Sequence, residues 1–272
     1  MLSTVFETIA VRKVRISRTG TGKPLILLHG YPDNLQIWSR LVPPLSDAFE
    51  TIAFDWPGMG YSEPWPGGAT PEHLADRLVA ILDALELEQT SIVAMDMGAQ
   101  PALVFAAKYP ARMDRLVVMN CLAFGDESTS WEIRLLRKFA WNRWLLRSAP
   151  RLIFWRALRT FLPDNDSLSE EARSDLWNAF RKEEVRKYIS KMCAGYQGTL
   201  PGLPAFYEKI RCPTFILWAE KDAHFPVIHA RKLHQFVPQS RLHIVECAHH
   251  WMVWHDASNV ARLIQEFFAE IS

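Results

Sequence analysis

The chain has 272 residues, 49% of them hydrophobic, and its 31 basic and 30 acidic side chains leave a net charge of +1. This balance predicts no bulk attraction to nucleic acid or anionic membranes, and no apolar stretch is long enough for a signal peptide or a membrane span. The four cysteines lack metal-binding spacing. We therefore expect a cytoplasmic protein with reduced thiols, monomeric or homodimeric, with a small-molecule ligand and without cofactor, metal, nucleic-acid partner or membrane partner.

Short apolar runs alternate with helical stretches along most of the chain. Strands are predicted at 25–30, which ends in His29-Gly30, and within 51–62, which ends in a glycine turn. Further strands are predicted at 91–95, 116–120, 214–218 and 242–246. This alternation predicts an α/β fold with a mostly parallel, twisted sheet flanked by helices. In such sheets, sites form at the carboxyl ends of the strands.

Residues 91–98 read Ser-Ile-Val-Ala-Met-Asp-Met-Gly, a strand that ends in a tight turn before a helical stretch. A central reactive residue between small flanking residues is typical of a strained turn that presents a nucleophile. Here the central residue is Asp96. A carboxyl group with a reference pKa of about 3.9 is ionised at neutral pH, so it can attack a saturated carbon directly and form an ester. The alternative interpretation is that Asp96 only caps the following helix.

The alternation breaks at 122–204, where helical patterns replace strands. We predict a helical cap there, inserted between core segments at 1–121 and 205–272, with Ser167 or Ser169 capping one helix. The cap is rich in tryptophan and arginine. We expect most tryptophans to pack against the core, with one or two lining an apolar pocket as the alternative. The arginines are expected to form a solvated face rather than a membrane patch.

Polar residues follow the last two predicted strands. Asp222 lies just past 214–218, and a Cys-Ala-His-His-Trp run after 242–246 carries His249 and His250. The chain order of nucleophile, acid and histidine is the order of the α/β-hydrolase fold. Together with His-Gly-Tyr-Pro at 29–32 and Asp-Trp-Pro-Gly-Met-Gly-Tyr-Ser at 55–62, it makes the chain resemble α/β-hydrolase fold enzymes over nearly its whole length.

The resemblance is to the branch with an aspartate nucleophile, which contains epoxide hydrolases, haloalkane dehalogenases and fluoroacetate dehalogenases. It implies a catalytic set of Asp96, Asp222 and His250, with His250 chosen over His249 because it precedes an aromatic residue. It also implies an oxyanion hole built from the backbone amides of Tyr31 and Met97.

Other polar residues near these motifs are weaker candidates. Some relatives take the acid from the end of the preceding strand, but Asn120 occupies that position and carries no charge, so Asp126 is only a reserve. Asp55 is expected to bond backbone amides in its turn. The remaining histidines, including His255, are expected on the surface or at helix ends.

The resemblance implies an epoxide hydrolase for a small to medium apolar epoxide, because such enzymes draw a leaving-group acid from cap tyrosines. Haloalkane dehalogenases typically have Trp and Asn where this chain has Met97 and Tyr31. Fluoroacetate dehalogenases have arginines just after the nucleophile, whereas this chain has no arginine at that position, residues 97–101. The candidate substrate-binding or leaving-group residues are Tyr196 first, then Tyr207, Tyr188, Trp144 and Trp251, each with simple packing as the alternative.

Three other functions stay open. The main alternative is a dehalogenase that releases halide and an alcohol from a haloalkane or haloacid. A second is an esterase or carbon–carbon bond hydrolase whose usual serine is replaced by Asp96. A third is a ligand-binding protein without catalysis, which an intact set of Asp96, Asp222 and His250 argues against.

Overall fold

The computed structural model describes residues 1–125, 129–163 and 168–270. Asp126 and Ser167 therefore lie outside the described residues. Across the described ranges, no helix is both long and apolar enough to cross a membrane.

One eight-stranded sheet forms the centre of the molecule. Its strands are β1 (Val5–Ile9), β2 (Arg12–Thr19), β3 (Lys23–Leu28), β4 (Phe49–Phe54), β5 (Thr90–Met95), β6 (Met113–Met119), β7 (Thr214–Ala219) and β8 (Ser240–Val245). They lie in the order β1-β2-β4-β3-β5-β6-β7-β8, and β3 to β8 pair in parallel. The prediction of a mostly parallel α/β sheet is confirmed.

The two antiparallel strands at one edge, β1 and β2, are missing from the sequence-based prediction. They pair with each other, and β2 pairs with β4. β1 is largely exposed and β2 begins and ends with exposed polar residues. Neither strand therefore has the continuous apolar run that marks a strand buried on both faces, such as β5.

Helices surround the sheet. They are α1 (Val42–Leu45), α2 (Pro71–Ala84), α3 (Ala99–Lys108), α4 (Trp131–Lys138), α5 (Ala140–Ser148), α6 (Pro150–Phe161), α7 (Glu170–Phe180), α8 (Glu183–Thr199), α9 (Pro204–Tyr207), α10 (Val227–Phe236), α11 (Met252–His255) and α12 (Ala257–Ala269). In the core, α2, α3, α9 and α10 contact one another in turn, while α1, α11 and α12 form a second group.

Helices α4 to α8 occupy the segment between β6 and β7, where the sequence predicts the cap. α8 contacts α4, α5 and α7. Ser130 and Ser169 cap α4 and α7, because their hydroxyls accept the amides of Ile133 and Ala172.

The later cap helices are tied to the core by charged and polar contacts. Asp175 of α7 accepts hydrogen bonds from both terminal nitrogens of Arg15 at 3.1 Å and from Asn34 at 2.7 Å. Arg77 of α2 donates to the hydroxyl of Tyr188 on α8 at 2.9 Å. These contacts hold α7 and α8 over the carboxyl ends of the strands.

Candidate active site

Asp96 lies at the tip of the turn that joins β5 to α3. Its φ of 50° is in the left-handed region, where a residue with a side chain is strained. The turn also approaches β3 closely, since a Cβ on Gly98 would lie 2.5 Å from the carbonyl oxygen of Leu28. Glycine is therefore required at 98, and the strained backbone directs the Asp96 side chain into the site.

Two backbone amides point at one oxygen of Asp96. The amides of Tyr31 and Met97 donate to Oδ1 at 3.1 and 2.5 Å. The loop after β3 comes so close that a Cβ on Gly30 would lie 2.3 Å from the Asp96 Cβ. The Tyr31–Pro32 peptide bond in this loop is cis. The Asp96 side chain thus bonds to the expected pair of oxyanion-hole amides, and its Oδ1 fills the place between them.

His250 lies between two carboxyl groups and is fully buried. Its Nδ1 is 2.7 Å from Oδ2 of Asp222, and its Nε2 is 3.4 Å from Oδ2 of Asp96. The other oxygen of Asp222 accepts the amides of His224 and Phe225 at 2.7 and 2.9 Å. The structure therefore brings together the three residues that the sequence nominates as the catalytic set.

Burial and charge act in opposite directions on this set. Burial disfavours the imidazolium of His250, but the neighbouring carboxylates of Asp222 and Asp96 outweigh it and raise the pKa of His250 to about 10. Burial also opposes ionisation of Asp222. The charge of His250 and the hydrogen bonds that Asp222 accepts nevertheless lower the pKa of its carboxyl group. In the resting site, His250 is thus an imidazolium between two carboxylates.

Asn120 fixes the relative position of the strands that carry the site. Its side-chain amide donates to the carbonyl of His250 at 2.8 Å, and its side-chain oxygen accepts the amide of Ala219 at 2.8 Å. Its backbone carbonyl accepts the amide of Asp96 at 3.2 Å. From the sequence, Asn120 is considered only as an uncharged residue at the position where some relatives have the catalytic acid. Its place directly after an apolar strand is the sequence signal for a positioning role.

Asp33 is a second buried carboxyl group beside the site that the sequence reading missed. Among the described residues, neither of its oxygens accepts a hydrogen bond of ordinary geometry, and the nearby Gly30 amide and Trp251 side chain lower its pKa only weakly. Burial and the charge of Asp96 raise the pKa of Asp33 well above its usual value, so this carboxyl group favours its neutral form. Its place directly after the His-Gly-Tyr-Pro motif is the sequence signal that could have found it.

Two adjoining cavities lie between the cap and the core. The inner one, of about 30 Å³, is lined by Asp96, Tyr196, Gln100, Arg137 and mostly apolar residues. The outer one, of about 350 Å³, is lined mainly by α4, α5 and α6. Tyr31, Ile133 and Leu136 line both cavities. The site therefore offers a mostly apolar path from the cap to the carboxylate.

Tyr196, the first-choice cap tyrosine, lines the inner cavity with Asp96. It is 4% exposed, and within the described part of the chain its hydroxyl makes no hydrogen bond of ordinary geometry, although the Gln100 side chain lies close enough to lower its pKa slightly. Burial, and after it the nearby Cys193 and Asp96, raise the pKa of Tyr196 well above its usual value. Tyr196 is therefore a protonated hydroxyl group whose proton is not committed to a neighbouring residue.

The structure does not bring the other predicted leaving-group residues to the cavities. Tyr207 is buried and donates its proton to the Ala123 carbonyl at 2.7 Å, and the hydroxyl of Tyr188 accepts from Arg77. Trp144 is 61% exposed on α5. Helical spacing alone could not separate these positions, because the direction of each side chain depends on how the cap helices pack.

Trp251 packs behind the histidine and is not among the residues that line either cavity. Its ring lies 5.8 Å from the Phe161 ring, and that ring lies 4.3 Å from the ring of His250. This placement supports the orientation of His250 but does not put Trp251 against a substrate.

Arg137 and His224 line the cavities. The expectation that the cap arginines form a solvated face is wrong for Arg137, which is 6% exposed. Arg137 is buried and donates one bond to the Gly125 carbonyl, while its Nε and Nη1 have no partner among the described residues. His224 is bound to Ser130 and Thr160 at 2.7 and 2.8 Å, and burial lowers the pKa of His224 to about 4. The expectation that the remaining histidines lie on the surface or at helix ends is thus wrong for His224 and for the fully buried His29, and His229 is also fully buried.

Two weaker candidates have structural positions. Asp55 accepts the amides of Leu35 and Tyr61, each at 2.8 Å, as expected for a turn residue. His249 is half-buried, and its amide donates to His255. Within residues 1–125, 129–163 and 168–270, no group of three His, Cys, Asp or Glu side chains is placed to hold a metal ion.

Comparisons with known proteins place this site in context. The alpha/beta hydrolase fold family matches residues 23–257. The 2-hydroxymuconate semialdehyde hydrolase of Pseudomonas sp. (strain CF600) is 27% identical, over 95% of this chain and 91% of the relative. The 2-hydroxy-6-oxo-6-phenylhexa-2,4-dienoate hydrolase of Comamonas testosteroni is 26% identical, over 94% and 91%. The solved epoxide hydrolase CorEH has a TM-score of 0.86 at 19% identity, with all of both chains covered, and shares the fold.

Proposed function

The chain belongs to the alpha/beta hydrolase fold family, and we propose that within it the chain hydrolyses an apolar epoxide through a covalent ester on Asp96. The curated relatives bear names of carbon–carbon bond hydrolases, and the epoxide hydrolase appears among the structural neighbours. The choice between these reactions therefore rests on the chemistry of the site itself.

The observation that carries the proposal is the position of Asp96 Oδ1 between the amides of Tyr31 and Met97. In ester or carbon–carbon bond hydrolysis, an oxyanion hole receives the oxygen of a substrate carbonyl. Here the carboxylate's own oxygen occupies those donors. The amides can instead stabilise charge that develops on Oδ1 when water attacks an ester formed at Asp96.

The first half-reaction joins Asp96 to the substrate. Oδ2 of Asp96 attacks one epoxide carbon, a carbon–oxygen bond forms, and the strained bond to the epoxide oxygen breaks. The released alkoxide takes the proton of the Tyr196 hydroxyl, which lines the same cavity. The absence of a hydrogen-bond partner for this hydroxyl among the described residues favours its role as donor.

The second half-reaction depends on a change in charge. Esterification removes the negative charge of Asp96, one of the two charges that raise the pKa of His250. The pKa of His250 falls, and the imidazolium returns a proton to the tyrosinate of Tyr196. Neutral His250 then accepts a proton from water as the water oxygen attacks Cγ of Asp96.

Collapse of the tetrahedral intermediate completes the cycle. The bond from Cγ to Oδ2 breaks, and the product leaves as a diol that carries Oδ2 and takes a proton from His250. The new carboxylic acid at Asp96 returns its proton to His250, which restores the ion pair. The sum is epoxide plus water to diol.

The test is the intact mass of the His250→Gln variant after exposure to styrene oxide or to 1-bromohexane. We expect Asp96 to react in this variant while ester hydrolysis slows by about 10²–10⁴-fold, since the general base for water is missing. The protein should gain the mass of the whole epoxide. Addition of Asp96→Asn to His250→Gln is the matched control and should abolish the adduct.

An adduct from 1-bromohexane that lacks the halogen, with none from the epoxide, would assign the chain to dehalogenation. Absence of any adduct from either compound would contradict the covalent mechanism. Both outcomes are measured with one protein sample in parallel reactions.

Carbon–carbon bond hydrolysis is the second candidate. It is favoured by the names of relatives that match this chain over 91% of the relatives' own length. Because Asp96 Oδ1 fills the donor pair, this activity is expected only after replacement by serine, whose single oxygen leaves room for a substrate oxyanion. Aryl ester hydrolysis by Asp96→Ser but not by wild type would fit that lineage. Aryl ester hydrolysis by the wild type would contradict the argument from the filled hole.

A further inference from the structure

The first three helices of the cap, α4 to α6, expose an unusual set of large apolar side chains. We call this set the cap patch: Trp131, Phe139, Trp141, Trp144, Leu152 and Trp155. All lie on or between α4, α5 and α6, and Trp144 and Leu152 are 61% and 65% exposed. We propose that the cap patch is a docking surface for an anionic lipid bilayer.

The concentration of exposed aromatic side chains distinguishes the cap patch from an ordinary protein surface. Every exposed tryptophan in the described part of the chain belongs to the cap patch. Isolated exposed apolar residues are common on proteins, but a contiguous run of them marks an interaction surface. Tryptophan in particular is favoured at the level of lipid headgroups, because its ring is apolar and its indole nitrogen can donate a hydrogen bond.

The charge on the helices that carry the patch is mostly positive, although Glu183 on the neighbouring α8 lies close enough to feel the charge of Arg147. Residues 131–163 contain eight basic side chains and a single acidic one, Glu132, although the whole chain has a net charge of only +1. Glu132 is already bound to Arg156. The exposed basic residues of these helices are Arg134, Lys138, Arg147, Arg151, Arg156 and Arg159. Apolar side chains flanked by cations are the composition of a surface that lies on anionic lipid.

This positive charge favours a lipid bilayer over a second copy of the chain as the partner of the cap patch. A symmetric dimer through the cap patch would bring the same basic surface from both subunits together. Like charges placed opposite one another disfavour such a contact. An anionic bilayer instead complements the cations and receives the aromatic side chains.

The patch also surrounds the way into the outer cavity. Trp131, Trp141, Leu152 and Arg156 are exposed and at the same time line that cavity. A bilayer seated on the cap patch would therefore face the cavity mouth, so that an apolar substrate dissolved in lipid could enter without crossing water. This inference goes beyond the proposed reaction, and lipid binding can be measured on resting enzyme without turnover.

The proposal departs from the expectation of a solvated arginine face and core-packed tryptophans. The sequence predicts that most cap tryptophans pack against the core. In the fold, however, the only buried residues of these two helices are Leu136, Arg137 and Leu146, and the tryptophans point outward.

The experiment is flotation of the full chain with vesicles of phosphatidylserine and phosphatidylcholine in equal parts, or of phosphatidylcholine alone. We expect binding to the anionic vesicles, weakened by added salt, with a blue shift of tryptophan fluorescence. Arg147→Glu with Arg151→Glu should weaken binding by at least about tenfold, since each cation near such a surface contributes measurably. Trp144→Ser should reduce the fluorescence shift.

The matched control is Lys23→Glu with Arg241→Glu, which makes the same change in net charge. These exposed residues begin β3 and β8 and lie at the amino ends of parallel strands, the edge opposite the cap. Wild-type binding by the control pair supports the proposal. Equal loss in both pairs, equal binding to neutral vesicles, no vesicle binding, or a dimer in sedimentation that Arg147→Glu with Arg151→Glu separates would each overturn it. Circular dichroism checks that all variants are folded.

Discussion

The core half of the site and the cap half hold their side chains in different ways. Oδ1 of Asp96 and both oxygens of Asp222 have hydrogen-bond partners on loops at the strand ends. On the cap, the hydroxyl of Tyr196 has no such partner among the described residues. The loops at the strand ends therefore hold the attacking carboxylate and the groups that activate water in place before a substrate arrives. The cap supplies a group whose bonding is completed by the substrate.

The two halves of the cap also differ in what they expose. Asp175 and Tyr188 attach α7 and α8 to Arg15, Asn34 and Arg77 of the core. Helices α4 to α6 carry the exposed cap patch instead. Both halves of the cap are bonded to the core, since Ser130 and Thr160 bind His224, but only α4 to α6 also expose the cap patch.

The sharpest test of the core–cap contrast is Tyr196→Phe. If Tyr196 supplies the proton for epoxide opening, ester formation should slow by about 10²-fold, while displacement of a halide should change little because it needs no proton. Ester formation is followed by intact mass in the His250→Gln background.

Tyr207→Phe is the matched control, since its hydroxyl donates to the Ala123 carbonyl and should affect stability rather than ester formation. Equal slowing with epoxide and halide in Tyr196→Phe would mean that this side chain only shapes the cavity.

The anchoring of the cap is tested by Asp175→Ala. Loss of the bonds to Arg15 and Asn34 should lower the free energy of unfolding by about 2 kcal/mol, because a nearly buried cation loses the nearer of its two carboxylate partners, Asp175 and Asp55. Urea denaturation measures the change. Glu183→Ala, which removes an exposed pair with Lys187 on α8, should have no measurable effect. Matching losses from the two variants would show that the Asp175 contacts do not anchor the cap.

A further expected effect is the pH dependence of the free energy of unfolding that His250 gives the core. Since the pKa of His250 is raised from about 6.5 to about 10 on folding, its protonation stabilises the folded state fully below pH ~6.5. That contribution is lost as pH rises toward 10. Thermal melts of wild type and His250→Gln should therefore converge between these pH values, and a difference that stays constant would contradict an imidazolium between two carboxylates.

The sequence alone determined the parallel core and the set of Asp96, Asp222 and His250. It could do so because buried parallel strands are continuous apolar runs and the fold puts residues at their carboxyl ends along one edge. The edge strands β1 and β2 could not be predicted in this way, because they are partly exposed and contain polar residues that interrupt any continuous apolar run.

The residues that surround this set could be identified from the tertiary structure but not from the sequence. The structure separated Tyr196, in the cavity, from Tyr207 and Tyr188, whose hydroxyls bond to Ala123 and Arg77. It placed Asn120 and Asp33 beside the site and left Trp131, Trp141, Trp144 and Trp155 of the cap exposed. The physical reason is that a strand fixes side-chain direction by simple alternation. The direction of a side chain on a cap helix depends on which face packs against its neighbours, and local spacing does not contain that information.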